Sequence, residues 1–234
     1  MDHKRLTLFA GHYGSGKTNI AVNYAIALAQ EGKQVCIADL DIVNPYFRTK
    51  DRAADLSAAG VTLVSPQFAN TNVDLPALPA EAYRLVQDKG TYGIMDIGGD
   101  DRGAYALGRY VDAIKAENNY RMVFVANCYR PLTRTPEEAL EVMKEIETAC
   151  GLAFTDIVNN ANLGPETTAD TVQSAMAYME KLSQLSGLPI FAHTAESHVA
   201  QQLAGKLTPV IPLQLQEKYF DLPSQKPGNR PLFG

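Results

Sequence analysis

The chain has little that would tie it to nucleic acid, to a membrane or to a disulfide framework. Its 234 residues carry 21 Lys and Arg against 26 Asp and Glu, for a formal net charge of −5, and no basic residues cluster into a stripe. That balance argues against nucleic acid as a partner held through bulk charge. No apolar run reaches the roughly 18 residues that a bilayer-spanning helix needs, so no membrane span is expected. Cysteine is scarce: Cys36, Cys128 and Cys150 stand apart, with no CxC or CxxC spacing. An odd, scattered set predicts reduced thiols in a cytoplasm, used as small buried apolar side chains. No internal repeat or low-complexity linker interrupts the chain. Met1-Asp2-His3-Lys4-Arg5 leads straight into an apolar run, leaving no room for a signal peptide, and a cytoplasmic location is expected. The rest is ordinary for a globular protein, 46% hydrophobic and 20% charged, at a length that fits one domain with a substantial core.

Against that background one segment carries chemistry. Gly11-His12-Tyr13-Gly14-Ser15-Gly16-Lys17-Thr18 is a complete GxxxxGK[ST] phosphate-binding loop. Its glycines let successive backbone N–H groups turn inward as an anion nest. Lys17 can reach β- and γ-phosphates, and the Thr18 hydroxyl suits Mg²⁺. The apolar run Leu6–Ala10 feeds the loop, and an Ala-rich helix over Lys17–Gln30 leaves it, ending at Glu31-Gly32. The helix start adds its unpaired N–H groups and dipole to the attraction. Gly11, Gly14, Ser15, Gly16, Lys17, Thr18 and Asn19 are therefore the predicted nucleotide-binding stretch.

Apolar runs alternate with helical stretches almost throughout, the pattern of a mostly parallel sheet covered by helices. Strands are predicted at Leu6–Ala10, Gln34–Asp39, Val61–Val64, Gly93–Ile97, Met122–Asn127, Asp156–Asn159 and Pro189–Ala192. The proline-bounded Pro209–Pro212 suits an edge strand. Helices are predicted at Lys17–Gln30, Pro79–Asp88, Pro136–Cys150, Thr167–Leu185 and Ser197–Leu203. In the last turn before Pro136–Cys150, Thr135 reads as the cap, with Pro136 at the first helical position. The expected architecture is an α/β three-layer sandwich of seven to eight strands with helices on both faces. It forms a single nucleotide-binding domain over 1–215, with a Gln-, Lys-, Pro- and Gly-rich extended tail over 216–234. The polar, Pro-interrupted stretch 65–79 reads as a long loop.

Two acidic motifs fall where nucleotide chemistry needs them. Asp39 and Asp41 end the second strand on one side, at the edge where open α/β sheets bind ligands. One carboxylate can hold a Mg²⁺ water and the other can orient water toward the γ-phosphate. A later strand ends in Asp96-Ile97-Gly98-Gly99, an apolar run closed by an aspartate that can bond Mg²⁺ through water. Gly98 or Gly99 follows with a backbone N–H placed to sense the γ-phosphate, as in a switch segment.

Together these motifs resemble the P-loop ATPases of the MinD and ParA type, which include metal-cofactor maturation ATPases. The likeness extends over residues 5–212. It implies Lys17 and Asp41 as the catalytic residues, Asp41 positioning the attacking water. Thr18, Asp39 and Asp96 become the Mg²⁺ residues, and ATP or ADP the ligand. It also implies adenine recognition by an asparagine in Ile157-Val158-Asn159-Asn160, Asn159 first and Asn160 second, with a further base contact from a loop around His193 and Thr194. One departure stands out: His12 occupies the position of the lysine that typically reaches across a dimer, so an ATP-dependent homodimer stays open. Pro45-Tyr46-Phe47-Arg48 could meet a partner or pack beneath its own loop. Arg130 and Arg134 could meet phosphate, a partner or solvent.

The leading reading is a Mg-dependent ATP-binding and hydrolysing switch that matures or activates an unidentified cytoplasmic protein. No C-terminal basic amphipathic helix supports membrane targeting. A small-molecule kinase or ATP-dependent ligase of the dethiobiotin synthetase type is the alternative, and a sensing module that scarcely hydrolyses is the third. GTP is disfavoured because Asn162 stands where guanine recognition needs a carboxylate.

Overall fold

The apolar runs become the strands of one sheet. The computed structural model describes residues 3–40, 49–64, 83–98 and 101–215. The strands are β1 (Leu6–Ala10), β2 (Val35–Leu40), β3 (Thr62–Val64), β4 (Tyr92–Ile97), β5 (Tyr120–Ala126), β6 (Asp156–Asn159), β7 (Ile190–Glu196) and β8 (Val210–Leu213). They pair in parallel in the order β3-β2-β4-β1-β5-β6-β7-β8, so the expected sheet has eight strands, and β8 lies on an edge. The helices are α1 (Lys17–Gln30), α2 (Ala53–Ala58), α3 (Arg84–Gln87), α4 (Asp101–Gly108), α5 (Val111–Glu117), α6 (Pro136–Cys150), α7 (Ala169–Ser174), α8 (Met176–Ser186) and α9 (Ser197–Leu203). Among the described residues no helix is long and apolar enough to cross a membrane.

A parallel sheet is covered on both faces, so its strands are apolar in succession; β1 is buried at every position. Alternation sorts the side chains into two cores. Leu6, Leu8, Met122 and Phe124 face α4, α5, α6 and α8 through Leu107, Ile114, Met143 and Leu182. Phe9, Ile37, Ile94 and Val125 face α1 through Ile20, Ala21, Tyr24 and Leu28. These make the expected three layers. The start of α6 follows its local chemistry: Thr135 Oγ1 accepts from Glu138 N, and the Glu138 carboxylate accepts from Thr135 N, two otherwise orphaned donors satisfied reciprocally.

At the N-terminal edge of the sheet, Arg5 is buried just before β1. Its Nε and Nη2 pair with the two carboxylate oxygens of Glu117. Its Nη1 donates to the carbonyls of Leu85 (2.8 Å), Asp88 (3.0 Å) and Thr91 (2.9 Å). Lys89 Nζ reaches the same Glu117 at 2.7 Å. The polar cluster fastens α3 and α5 beneath β1, on the edge opposite the phosphate loop.

Two expectations are corrected. The predicted Thr167–Leu185 helix is divided at Ala175 into α7 and α8, because Val172 joins a cluster with Val199 and Leu203 while Met179 and Leu182 join the main core. Strand β7 continues to Glu196, so His193 and Thr194 belong to the strand and not to a loop. Asp41, Pro45–Arg48, the 65–79 stretch, Gly99 and the tail after 215 lie outside the described residues, as does the start of the predicted Pro79–Asp88 helix.

Candidate functional site

The loop after β1 turns on residues that a side chain would obstruct. Gly11 has no room for a Cβ, which would come within 2.7 Å of the Val125 carbonyl oxygen. Gly16 has φ +95°, and a Cβ there would overlap Asn160 Nδ2. That amide cannot easily move: Nδ2 donates to the Ser15 carbonyl at 2.6 Å, and Oδ1 accepts from Thr194 Oγ1 at 2.6 Å. Gly16→Ala is therefore expected to cost about 2–4 kcal/mol, from left-handed strain plus a broken buried hydrogen bond. Thermal unfolding of the variant against the parent measures it; an unchanged midpoint would contradict the geometry.

Lys17 opens α1, is almost fully buried, and lays its Nζ back toward the His12 carbonyl at 3.4 Å. Thr18 is buried beside it. The His12 ring turns to its own neighbour, Nδ1 lying 3.1 Å from the Tyr13 carbonyl.

Asp39 and Asp96 stand in register on the adjacent strands β2 and β4, next to Phe9 near the end of β1. Neighbouring strands lie about 4.8 Å apart and in-register side chains share a face, here the face covered by α1. Both aspartates are buried, and Thr49 Oγ1 donates to Asp96 Oδ2 at 3.1 Å. Nothing in the sequence pointed to Thr49, which precedes α2 without any motif.

A cavity of about 360 Å³ opens over the loop, within the range of small-ligand sites. Gly14, Ser15, Gly16, Lys17, Thr18 and Asn19 line one side of it. Asn127, Asn160, Asn162 and Gly164 follow from the ends of β5 and β6, and Leu213 and Leu215 from β8 and its exit. Among the described residues its charged lining is Lys17 and Arg130, both cationic, in a protein of net charge −5. Ser15 Oγ and Asn19 Oδ1 are buried without a hydrogen-bond partner among the described residues. The arrangement suits an anionic ligand with a partly apolar far end.

Asn159 is absent from that lining. It ends β6 pointing elsewhere: its Nδ2 donates to the Val172 carbonyl (3.3 Å) and approaches His193 Nδ1 (3.4 Å), while its Oδ1 accepts from Ala161 N (3.0 Å). Burial holds the His193 pKa below its usual value, so a neutral ring accepts through Nδ1 and carries its proton on Nε2. Asn127, Leu213 and Leu215 are not among the residues expected from sequence, and Asn162 entered there only as an amide that disfavours guanine. Asn127 alone carried a signal, a polar residue closing an apolar run.

Residues 6–163 match the family described as the CobQ/CobB/MinD/ParA nucleotide binding domain. The cytosolic Fe-S cluster assembly factor cfd1 of Emericella nidulans is 29% identical over 96 residues, 41% of this chain. The match spans about a quarter of that relative's length, 27%. The cell division protein FtsY of Thermotoga maritima shares the fold, with a TM-score of 0.55 at 18% identity, over 81% of this chain and 60% of its own. The signal recognition particle 54 kDa protein of Aeropyrum pernix K1, solved in complex with GDP, gives 0.50 at 18% identity, over 79% and 40%. With the phosphate loop and β1 to β6 inside the matched span, the chain belongs to the CobQ/CobB/MinD/ParA nucleotide-binding domain family.

Proposed function

We propose that this protein is a Mg-dependent ATPase switch that helps another protein mature or become activated. The observation that carries the reading is the cavity whose charged lining, among the described residues, is cationic, set over a complete phosphate loop. Thr18, Asp39 and Asp96 form an all-oxygen donor set suited to a hard divalent cation. When bound there, Mg²⁺ would neutralise charge on the phosphates. Asparagine amides at the far end both donate and accept, which fits the edge of adenine; Asn160, with one N–H beyond its bond to Ser15, is the residue assigned to it.

The maturation role draws on a relative whose name describes cluster assembly. The thiols of this chain suit activation of a partner better than metal carriage. Cys36 and Cys150 are buried, and burial pushes Cys36 up to about 11 and Cys150 upward, so both stay protonated and inert near neutrality.

Asp41 is assigned to orienting the attacking water. Asp41→Ala is expected to bind ATP within about threefold of the parent and to hydrolyse it about 100-fold more slowly, the lower end of what a positioned base supplies. Phosphate release under excess Mg·ATP measures turnover, and titration calorimetry measures binding. Unchanged turnover would move the water-positioning role elsewhere, and equal affinity for GTP would overturn the assignment of adenine. A phosphorylated small molecule as product would place the protein among kinases.

A further inference from the structure

Arg130 is set apart from the other buried arginines. Arg5, Arg52 and Arg121 each meet a carboxylate, those of Glu117, Asp55 and Asp156. Arg130 is half-buried, and its Nε is fully enclosed without a hydrogen-bond partner among the described residues. Its Nε, Cδ and Cζ all lie 3.8–4.0 Å from the point where Gly14 would carry a Cβ. The guanidinium thus lies along the phosphate loop at a place where the loop has no side chain.

The turn that delivers it is held firmly. Asn127 Oδ1 accepts from Tyr129 N (3.1 Å), the Asn127 carbonyl accepts from Arg130 N (3.1 Å) and Thr133 Oγ1 (2.9 Å), and the Arg130 carbonyl accepts from Thr133 N (3.3 Å). Leu132, 61% exposed, adopts φ +66° in the same turn, a conformation that a branched side chain tolerates only where the surroundings impose it.

We infer that Arg130 binds the phosphate chain of the nucleotide, as a second cation supplied by the same chain and placed over Gly14 beside Lys17. This rests on the nucleotide reading above. Among the described residues, no carboxylate lines the cavity beside Arg130. Arg130 lines the cavity, so a phosphate oxygen over the loop can meet the outer N–H groups of its guanidinium, whose planar fork suits two such oxygens at once. The site is therefore equipped to hold a polyphosphate without charge from a second subunit.

Calorimetric titration of the full chain with Mg·ADP and Mg·ATP tests this, using the parent, Arg130→Gln and Arg130→Lys. Loss of a charge-assisted bond is expected to weaken both nucleotides at least about tenfold in Arg130→Gln. Arg130→Lys should recover most of that loss, and the ligand-free melting temperature should stay unchanged in both. Affinity in Arg130→Gln within twofold of the parent would overturn the inference. A loss accompanied by a lower ligand-free melting temperature, with no recovery by lysine, would also overturn it, since that pattern marks a structural role. Failure of the parent chain to bind either nucleotide would instead bring down the reading beneath it, and this inference with it.

Discussion

Lys17→Ala is expected to reduce affinity for Mg·ATP and Mg·ADP at least about 100-fold, while the ligand-free protein keeps its fold. Lys17 is almost fully buried at the start of α1, and its hydrogen bond to the His12 carbonyl is long at 3.4 Å. The side chain is thus weakly engaged within the protein and strongly placed toward a ligand. Removing one member of a buried, hydrogen-bonded charge pair costs about 2–5 kcal/mol; the middle of that range corresponds to between two and three powers of ten in affinity. Calorimetry on the variant, alongside its melting curve without ligand, separates the two effects. Parent-like affinity would remove the phosphate loop from the site.

Arg5→Met is expected to destabilise the fold more than any surface change, by about 3–5 kcal/mol. It leaves the buried Glu117 carboxylate with the exposed Lys89 in place of its bidentate partner, and it leaves three carbonyls of the segment from Leu85 to Thr91 without their Arg5 donor. For a chain of this size that corresponds to a fall in melting temperature of about 6–20 °C, since each kcal/mol shifts it by roughly 2–4 °C. A shift under 3 °C in thermal unfolding would show that the pair contributes little. The same pair leaves a signature in pH. The Arg5 hydrogen bonds hold Glu117 below its usual pKa, so the folded state binds its proton less readily than the unfolded chain does. The contribution is complete above the unfolded glutamate value near 4.3, shrinks as pH falls below it, and is gone once pH passes below the folded value. Glu117→Gln should accordingly flatten the fall in stability between about pH 5 and pH 3; a slope equal to that of the parent would contradict the linkage.

Much of this architecture is legible in the residues. The phosphate loop needs glycines where a Cβ would strike Val125 or Asn160, and it needs a strand before it and a helix after it; each of these has a local signature. The helix cap at Thr135 is legible for the same reason. The choice between Asn159 and Asn160 is not, because successive residues at a strand end point opposite ways. Which of them meets the cavity depends on where β6 stops and on what lies across from it: Val172 and His193 for one, Ser15 and Thr194 for the other. Strand β7 runs past its apolar portion because His193 and Thr194 are buried polar residues with partners in the fold, and hydropathy cannot see a partner 34 residues away. The division at Ala175 involves no glycine or proline; two cores simply draw α7 and α8 apart. Leu213 and Leu215 reach the cavity by sheet order alone.

That last arrangement has a bearing on how the protein comes into being. Gln214, between those two leucines, is fastened to the first helix: its N–H donates to Asn23 Oδ1 at 2.8 Å, and its carbonyl accepts from Asn23 Nδ2 and from Arg52, each at 3.0 Å. The phosphate loop is synthesised ahead of β8, yet the walls that enclose its ligand include residues made some 190 positions later. A growing chain can form the loop without being able to hold a nucleotide in a finished pocket. Once β8 docks, a bound nucleotide stabilises the centre of the sheet and its β8 edge together. Occupancy thereby becomes a signature of a chain that has been made and folded through its eighth strand.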